Sequence, residues 1–503
     1  MLDRVQISRR ALLAGMAGIT ASFIPSGCAK PKRQSPMSLT AIDGESITGS
    51  TQSNFAGTGF WSRVGHSRAR DWVGPNPLGG NFAGFDDVNF IPISTWLTDY
   101  GGMAAATAYA RMDDLGLNGM MPASGAITLS NNITYGKWAV VPDETWPTGS
   151  VSTSDDPGVV GVSTGEEPST TAQYNAIISA AATWLAGADG PGRFHMFNFA
   201  DQLMNGDIDT AISPDDMVIA TPNQITAMDQ YWYAGSNPEV DSASRYKLHS
   251  RLYFDELSIS GPSTSAQCAR GSHYGSSVHS IRKAYPPNAR APFTVWIEAA
   301  APYESASSLA MTPDVLKWAV WATLVHGARM IGYFIHNFRI GDTWGSAFFD
   351  DHFGADGIAG TGIYAAAKEV NINALTIAPV INSPFDGYFV YGDLTTGGEK
   401  AVPGFLSAVS STNGRSKYGG VDASCRWLPT SRKHYILSTT REENSTTNWP
   451  VTFRMVDQGQ TTAVPLFSGT NITIQRGGAI PGGFCEFSDT FAKASDYKAY
   501  RID

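Results

Sequence analysis

The chain has 503 residues, 42% hydrophobic and 16% charged, with 35 Lys and Arg against 45 Asp and Glu and a formal net charge of -10. Length and composition suit a globular chain with one large domain and a smaller one, and they exclude a disordered chain. The negative balance argues against nucleic acid as a partner, while 13 Trp and 19 Tyr suit core packing and stacking on the apolar faces of sugars alike.

Residues 1–28 read as an address. Ser8-Arg9-Arg10-Ala11-Leu12-Leu13 resembles the twin-arginine export signal, and the apolar run that follows, residues 14–24, is too short to stay in a bilayer as an anchor. This predicts export from a bacterial cytoplasm to the periplasm, the cell surface or the medium. Ile24-Pro25-Ser26-Gly27-Cys28 also fits a lipoprotein cleavage site, after which a lipidated Cys28 would attach the chain to a membrane. Pro25 departs from the small or aliphatic residue usual there. Residues 29–54, rich in Ser, Thr, Pro and Lys, read as a tether, and residues 29–85 as tether plus irregular lead-in.

Strands and helices then alternate. Apolar strand candidates lie at 88–96, 117–122, 137–142, 158–164 and 193–199, with helical patterns at 103–115 and 171–185. In the second helix Tyr174, Ile177, Ile178, Ala181 and Leu185 form one apolar face. A sixth strand falls at 217–220 or 227–233, the second preferred because polar and aromatic residues gather at its end. After a helix around 274–284, Phe293-Thr-Val-Trp-Ile-Glu298 fits a strand buried on both faces. Thr312, Pro313 and Asp314 suit a helix N-cap and first turn, and that helix runs to Gly327. An eighth strand at 330–336 and a helix at 362–374 complete the series. Eight strands alternating with helices imply a (β/α)8 barrel over residues 86–383, whose chemistry gathers at strand C-termini.

From residue 384 strands come without helices, at 388–391, 434–438, 451–455, 463–467, 472–474 and 497–502, which predicts a small antiparallel β-sandwich over 384–503. Four cysteines are too few for a disulfide scaffold or zinc site. Cys425 and Cys485 share this region and could pair in an oxidising compartment, leaving Cys268 free.

A carboxylate at the end of a buried strand is costly unless paired or opening into a cleft. Glu298 ends the seventh strand, and Glu167, before Pro168, follows the fourth. In a barrel both would face one mouth. This resembles the retaining glycoside hydrolases of clan A, in which the acid/base glutamate follows strand four, often as Asn-Glu-Pro, and the nucleophile glutamate ends strand seven. The resemblance implies a TIM-barrel glycosidase with Glu167 as acid/base, Glu298 as nucleophile, a carbohydrate substrate and no cofactor. Retention needs the two carboxyls about 5 to 5.5 Å apart, one protonated and one ionised. Glu166 stands where the clan usually has the Asn that contacts the sugar 2-hydroxyl, which leaves Glu166 as substrate contact or rival acid. Gly165-Glu166-Glu167-Pro168 would equally suit an acidic helix start.

Further substrate contacts are expected from Trp96 after strand one, from Asp229, Tyr231 and Trp232 after strand six, and from His336 and Asn337 after strand eight. Asp255 and Glu256 form a second carboxylate pair in the connection from strand six to seven. No HExxH, P-loop, GxSxG or calcium-loop motif occurs. Beside the retaining hydrolase stand a noncatalytic carbohydrate-binding or envelope protein on a degenerate barrel, and an inverting hydrolase using Glu166 or Asp255.

Overall fold

The structure, a computed structural model, describes residues 89–96, 104–120, 131–132, 134–142, 159–187, 194–199, 224–229, 232–233, 271–284, 293–299, 311–334, 338–340, 343–345, 362–383, 385–389, 404–411, 421–440, 448–492 and 496–503. The export signal, Cys28, the tether, Tyr231, Asp255, Glu256, Cys268, His336 and Asn337 lie outside the described residues.

Eight parallel strands close into a barrel: β1 (Ile93–Thr95), β2 (Gly119–Met120), β3 (Trp138–Pro142), β4 (Val159–Ser163), β5 (Phe194–Phe199), β6 (Gln224–Met228), β7 (Phe293–Glu298) and β8 (Ile331–Phe334). Strand β8 pairs back on β1 through Ile331 to Ile93 and Tyr333 to Thr95. Among the described residues the helices around it are α1 (Ala105–Asp114), α2 (Thr171–Ala186), α3 (Gly271–Ala284), α4 (Pro313–His326) and α5 (Ile363–Thr376), before a short α6 (Ala378–Ile381). Helix α4 begins as its residues require, with the Thr312 hydroxyl accepting from the Val315 N–H and Gly327 ending it in the left-handed region.

Alternation sorts each strand into two faces. On β7, Phe293, Val295 and Ile297 pack with Tyr274, Val278 and Ile281 of α3 and with Val315 and Leu316 of α4. Trp296 turns the other way, where its indole N–H reaches the side chain of Asn198 on β5 at 2.9 Å. Because β6 lies between β5 and β7, that bond runs inside the barrel. Large rings there lie against glycines of neighbouring strands: a Cβ on Gly119 would meet the Trp138 ring, one on Gly161 the Phe194 ring, and one on Gly332 the Trp296 ring at 2.7 Å.

The sixth strand is displaced from its expected place. It occupies Gln224–Met228 rather than 227–233, because Gln224 and Thr226 are buried and bonded to each other, so a polar pair replaces the apolar signal expected of a buried strand. Asp229 then directly follows the strand.

After the barrel come, among the described residues, a hairpin, β9 (Phe338–Ile340) with β10 (Thr343–Gly345), and nine strands in two antiparallel sheets. Six strands, β11 (Phe385–Phe389), β13 (Val421–Leu428), β14 (Lys433–Thr440), β16 (Thr462–Pro465), β17 (Ile472–Thr473) and β19 (Tyr497–Ile502), form one sheet; β12 (Leu406–Ser411), β15 (Trp449–Val456) and β18 (Phe484–Phe491) form the other. The six-stranded sheet is covered on two sides: Leu437 and Tyr435 join the core beneath α4, and Val421, Ala423, Cys425 and Ile436 join the core between the sheets. Cys425 and Cys485 do not pair. They sit in different sheets, each a buried free thiol.

On the barrel side, Trp318 and Trp321 of α4 donate their indole N–H groups to the carbonyls of Thr440 at 2.6 Å and Ser438 at 3.1 Å. His326, at the end of α4, lies between Asp422 (2.7 Å) and the Tyr388 hydroxyl (2.6 Å). Arg426 donates to the Leu324 carbonyl at 3.0 Å and stacks on the Phe385 ring.

Candidate active site

All eight strands being parallel, their C-terminal ends open on one face, where barrel folds place their chemistry. Glu298 is the last residue of β7 and is buried. Leaving an ionised carboxylate in such a place without donors would cost several kcal/mol. Donors that meet it include the Tyr233 N–H, 2.9 Å from Oε2, and the Tyr274 hydroxyl, on the same oxygen. Charge-assisted bonds of this kind contribute about 1.5–3 kcal/mol each, enough to hold the anion in place. Burial, and then the charge of Glu298, push the Tyr274 phenol well above its ordinary value, so it stays protonated and remains a donor.

The other glutamates follow β4. Helix α2 does not begin with them: its N-cap is Thr170, whose hydroxyl accepts from the Gln173 N–H, and its first turn holds no acidic residue. The acidic-helix-start reading of Gly165 to Pro168 is therefore not what the chain adopts. Glu166 instead forms an isolated parallel bridge with Asn198 of β5, and the Glu167 N–H donates to the Asn198 carbonyl at 2.9 Å. Glu167 is held at φ 47, one of two non-glycine residues at positive φ among those described. That region disfavours a side chain by roughly 1–2 kcal/mol, and such outliers gather at functional sites. Behind them, His195 bonds Thr164 at 3.1 Å, and burial pushes its imidazole down to about 3, so it is neutral.

The two groups are linked through the barrel. Glu166 Oε2 lies 3.5 Å from Asn198 Nδ2, Asn198 Oδ1 accepts from Trp296, and Trp296 is two residues before Glu298. Trp96 meets Trp296 edge-on, with ring centroids 4.7 Å apart; it is buried and so forms part of the floor rather than an exposed platform. Trp232 stacks obliquely on His273 at 4.7 Å, beside the Tyr233 N–H that holds Glu298. Asp229 is buried at the end of β6, its N–H bonded to the Phe199 carbonyl at 2.8 Å.

No family model matches the chain, and no curated protein matches it in sequence. Among solved structures it is similar to a catalytic mutant of a glycoside hydrolase family 42 β-galactosidase from G. stearothermophilus, at 9% identity over 82% of this chain and 98% of that one, with a TM-score of 0.45. It is also similar to a family 5 glycoside hydrolase from Bacteroides vulgatus, at 10% identity, 82% and 89% coverage and a TM-score of 0.43. A third is the catalytic module of a family 98 glycoside hydrolase from Streptococcus pneumoniae in complex with the H-disaccharide blood group antigen, at 8% identity, 82% and 99% coverage and a TM-score of 0.34.

What the site can do rests on its own side chains. Sequence reasoning named Glu166, Glu167 and Glu298 as candidates and overlooked Asn198, Tyr233 and Tyr274, which contact them. Asn198 carried a signal, a lone amide inside the apolar strand Phe-His-Met-Phe-Asn-Phe. Tyr274 carried none, since a tyrosine on a helix reads as packing.

Proposed function

We propose that the chain is a glycoside hydrolase cleaving glycosidic bonds of poly- or oligosaccharides by a retaining route, with Glu298 as nucleophile and Glu167 as general acid/base. The observation that carries this reading is the setting of Glu298: a buried carboxylate at the end of β7, gripped through one oxygen by Tyr274 and the Tyr233 N–H, which fixes where the other oxygen points. In the first step Glu167 gives its proton to the leaving oxygen while Glu298 attacks the anomeric carbon and forms a glycosyl ester. In the second, the Glu167 carboxylate takes a proton from the attacking water and Glu298 departs as an anion. The Tyr233 and Tyr274 donors favour that departing charge. Trp96, Trp232, Asp229 and Glu166 supply the surroundings of the sugar.

Export belongs to the same proposal: Arg9 and Arg10 before the apolar run direct the hydrolase out of the cytoplasm, and Cys28 is its point of lipid attachment. Replacing both arginines with Lys should leave precursor in the cytoplasm; normal export of that variant would contradict the reading.

Catalysis is tested by the stereochemistry of rescue. Azide added to Glu167→Ala should give product of retained configuration, since it attacks the glycosyl-enzyme without a general base. Azide added to Glu298→Ala should give inverted product, because it replaces the missing carboxylate. Full activity of both variants on a substrate the parent cleaves would overturn the assignment.

A further inference from the structure

We propose that Asn198 and Trp296 are positioning residues whose side-chain bond inside the barrel sets the spacing between Glu167 and Glu298. This role rests on the glycosidase reading above and deepens it, since spacing decides whether two carboxyls retain or invert configuration.

Glu167 follows β4 and Glu298 ends β7, and β5 and β6 stand between those strands. Neighbouring strands lie about 4.8 Å apart, so the sheet alone passes position from one glutamate to the other through three successive ladders. The first of these is interrupted just before Glu167. Regular pairing of β4 with β5 reaches Val162 and His195, and the next pairing is the bridge of Glu166 with Asn198. From Val162 to Glu166 is four positions and from His195 to Asn198 three, the extra residue of a β-bulge. Gly165 takes it up at φ 144, where a Cβ would meet Ile177 of α2 at 2.7 Å. Beyond the bulge, the Glu167 N–H is bonded to the Asn198 carbonyl at 2.9 Å.

The Asn198 side chain reaches the other way. Its Oδ1 accepts from the Trp296 indole N–H at 2.9 Å, a bond that passes β6 and ties β5 directly to β7. The indole is itself seated, with Gly332 of β8 beneath its ring and Trp96 edge-on at 4.7 Å, so a shift of Asn198 is passed to β7 instead of being absorbed by rotation of the ring. Glu298 lies two residues further along that strand. Asn198 therefore holds Glu167 by its main chain and the strand of Glu298 by its side chain. A displacement of about 1 Å would move the pair from the roughly 5–5.5 Å of retention toward the roughly 6.5 Å at which inversion begins, and misplacement on that scale costs on the order of a hundredfold in rate.

Asn198→Leu keeps the bulk and removes the acceptor, while Trp296→Phe keeps an aromatic ring and removes the donor. Each should lower kcat on aryl glycosides by about tenfold or more with KM held within about threefold. The double variant should be no slower than the slower single, because the same bond is lost in all three. Thr294→Val controls for mere destabilisation: it deletes a buried bond from β7 to the Met330 carbonyl, 2.9 Å long and away from β5, and it should lower the melting temperature while leaving kcat per folded molecule within about threefold. Losses that multiply in the double variant, or an equal loss of kcat in Thr294→Val, would overturn the proposal.

Crystal structures of the parent and Asn198→Leu read the spacing without turnover. The Glu167 and Glu298 carboxyls should stand further apart in the variant by about 0.5 Å or more, the tolerance of a productive site; an unchanged separation would overturn the proposal even if activity fell. Should Asn198→Leu fail to fold, Trp296→Phe carries the same measurement. A parent that cleaves no glycoside would instead sink the hydrolase reading, with the measured separation still deciding whether the bond sets it.

Discussion

The barrel mouth and the barrel–sandwich contact both bury ionisable groups, and they do so in opposite ways. At the contact, His326 is clamped from two sides by Asp422 and Tyr388, and Arg426 is held by the Leu324 carbonyl and the Phe385 ring. At the mouth, the Tyr233 N–H and the Tyr274 hydroxyl converge on one oxygen of Glu298. The first arrangement immobilises a charge; the second orients one. Helix α4 links them, since it returns from the mouth to the far end of the barrel and ends at His326. Docking runs along α4 from Trp318 to His326.

The sharpest way to break the comparison is to remove charge from each region and ask what fails. Glu298→Gln should lower turnover on every substrate by on the order of 10^5-fold or more, the scale seen when a nucleophile is removed, while melting changes little. Asp422→Ala should do the reverse. Leaving the buried His326 ring without its hydrogen-bond partner costs about 1–3 kcal/mol, readable as a lowered melting temperature and denaturant midpoint, with turnover per folded molecule kept within about threefold. If Asp422→Ala abolished turnover in a folded protein, the separation of the two regions would be wrong.

Tyr274→Phe sharpens the mouth. Losing one charge-assisted donor should cost about 1.5–3 kcal/mol of stabilisation of the departing carboxylate, or roughly ten- to a hundredfold in kcat where hydrolysis of the glycosyl ester limits the rate. The loss should be largest where release of the glycosyl ester limits the rate, and a burst of leaving group would show it.

The effect at His195 is negligible at neutral pH and grows only in acid. Its folded value is depressed to about 3 by burial, against about 6.5 in an unfolded chain. Below about 6.5 the unfolded chain binds a proton that the folded one refuses, so stability falls as pH drops from there toward 3 and is unaffected above. The slope is up to about 1.4 kcal/mol per pH unit. His195→Gln should flatten that part of a stability-against-pH curve; an unchanged slope would contradict the neutral buried imidazole.

How far these features could be read in the sequence depends on how local their causes are. Phe293 to Glu298 was legible because an apolar run ending in Glu is its own signal, and so was the Thr312 cap. Strands β12, β13 and β18 were not. In β13, Asp422, Ser424 and Arg426 alternate with Val421, Ala423 and Cys425, and all six are buried, because the polar face docks on the barrel and the apolar face on the second sheet. A pattern reader takes such a segment for a surface strand or a loop. The link from Glu166 to Trp296 was equally hidden, since the barrel brings together residues of strands four, five and seven that no spacing relates.

The rings seated on Gly119, Gly161 and Gly332 bear on how this chain can change over generations. None of the three glycines offers a functional group, so an inventory of reactive side chains passes over them. Yet Gly332 makes room for the indole that holds Asn198, and Asn198 holds the glutamate pair. A descendant could exchange whole loops at the mouth, and with them its choice of ligand, more readily than it could acquire one methyl group at that strand. Innovation in such a lineage would be confined to the rim, with the floor beneath it inherited intact.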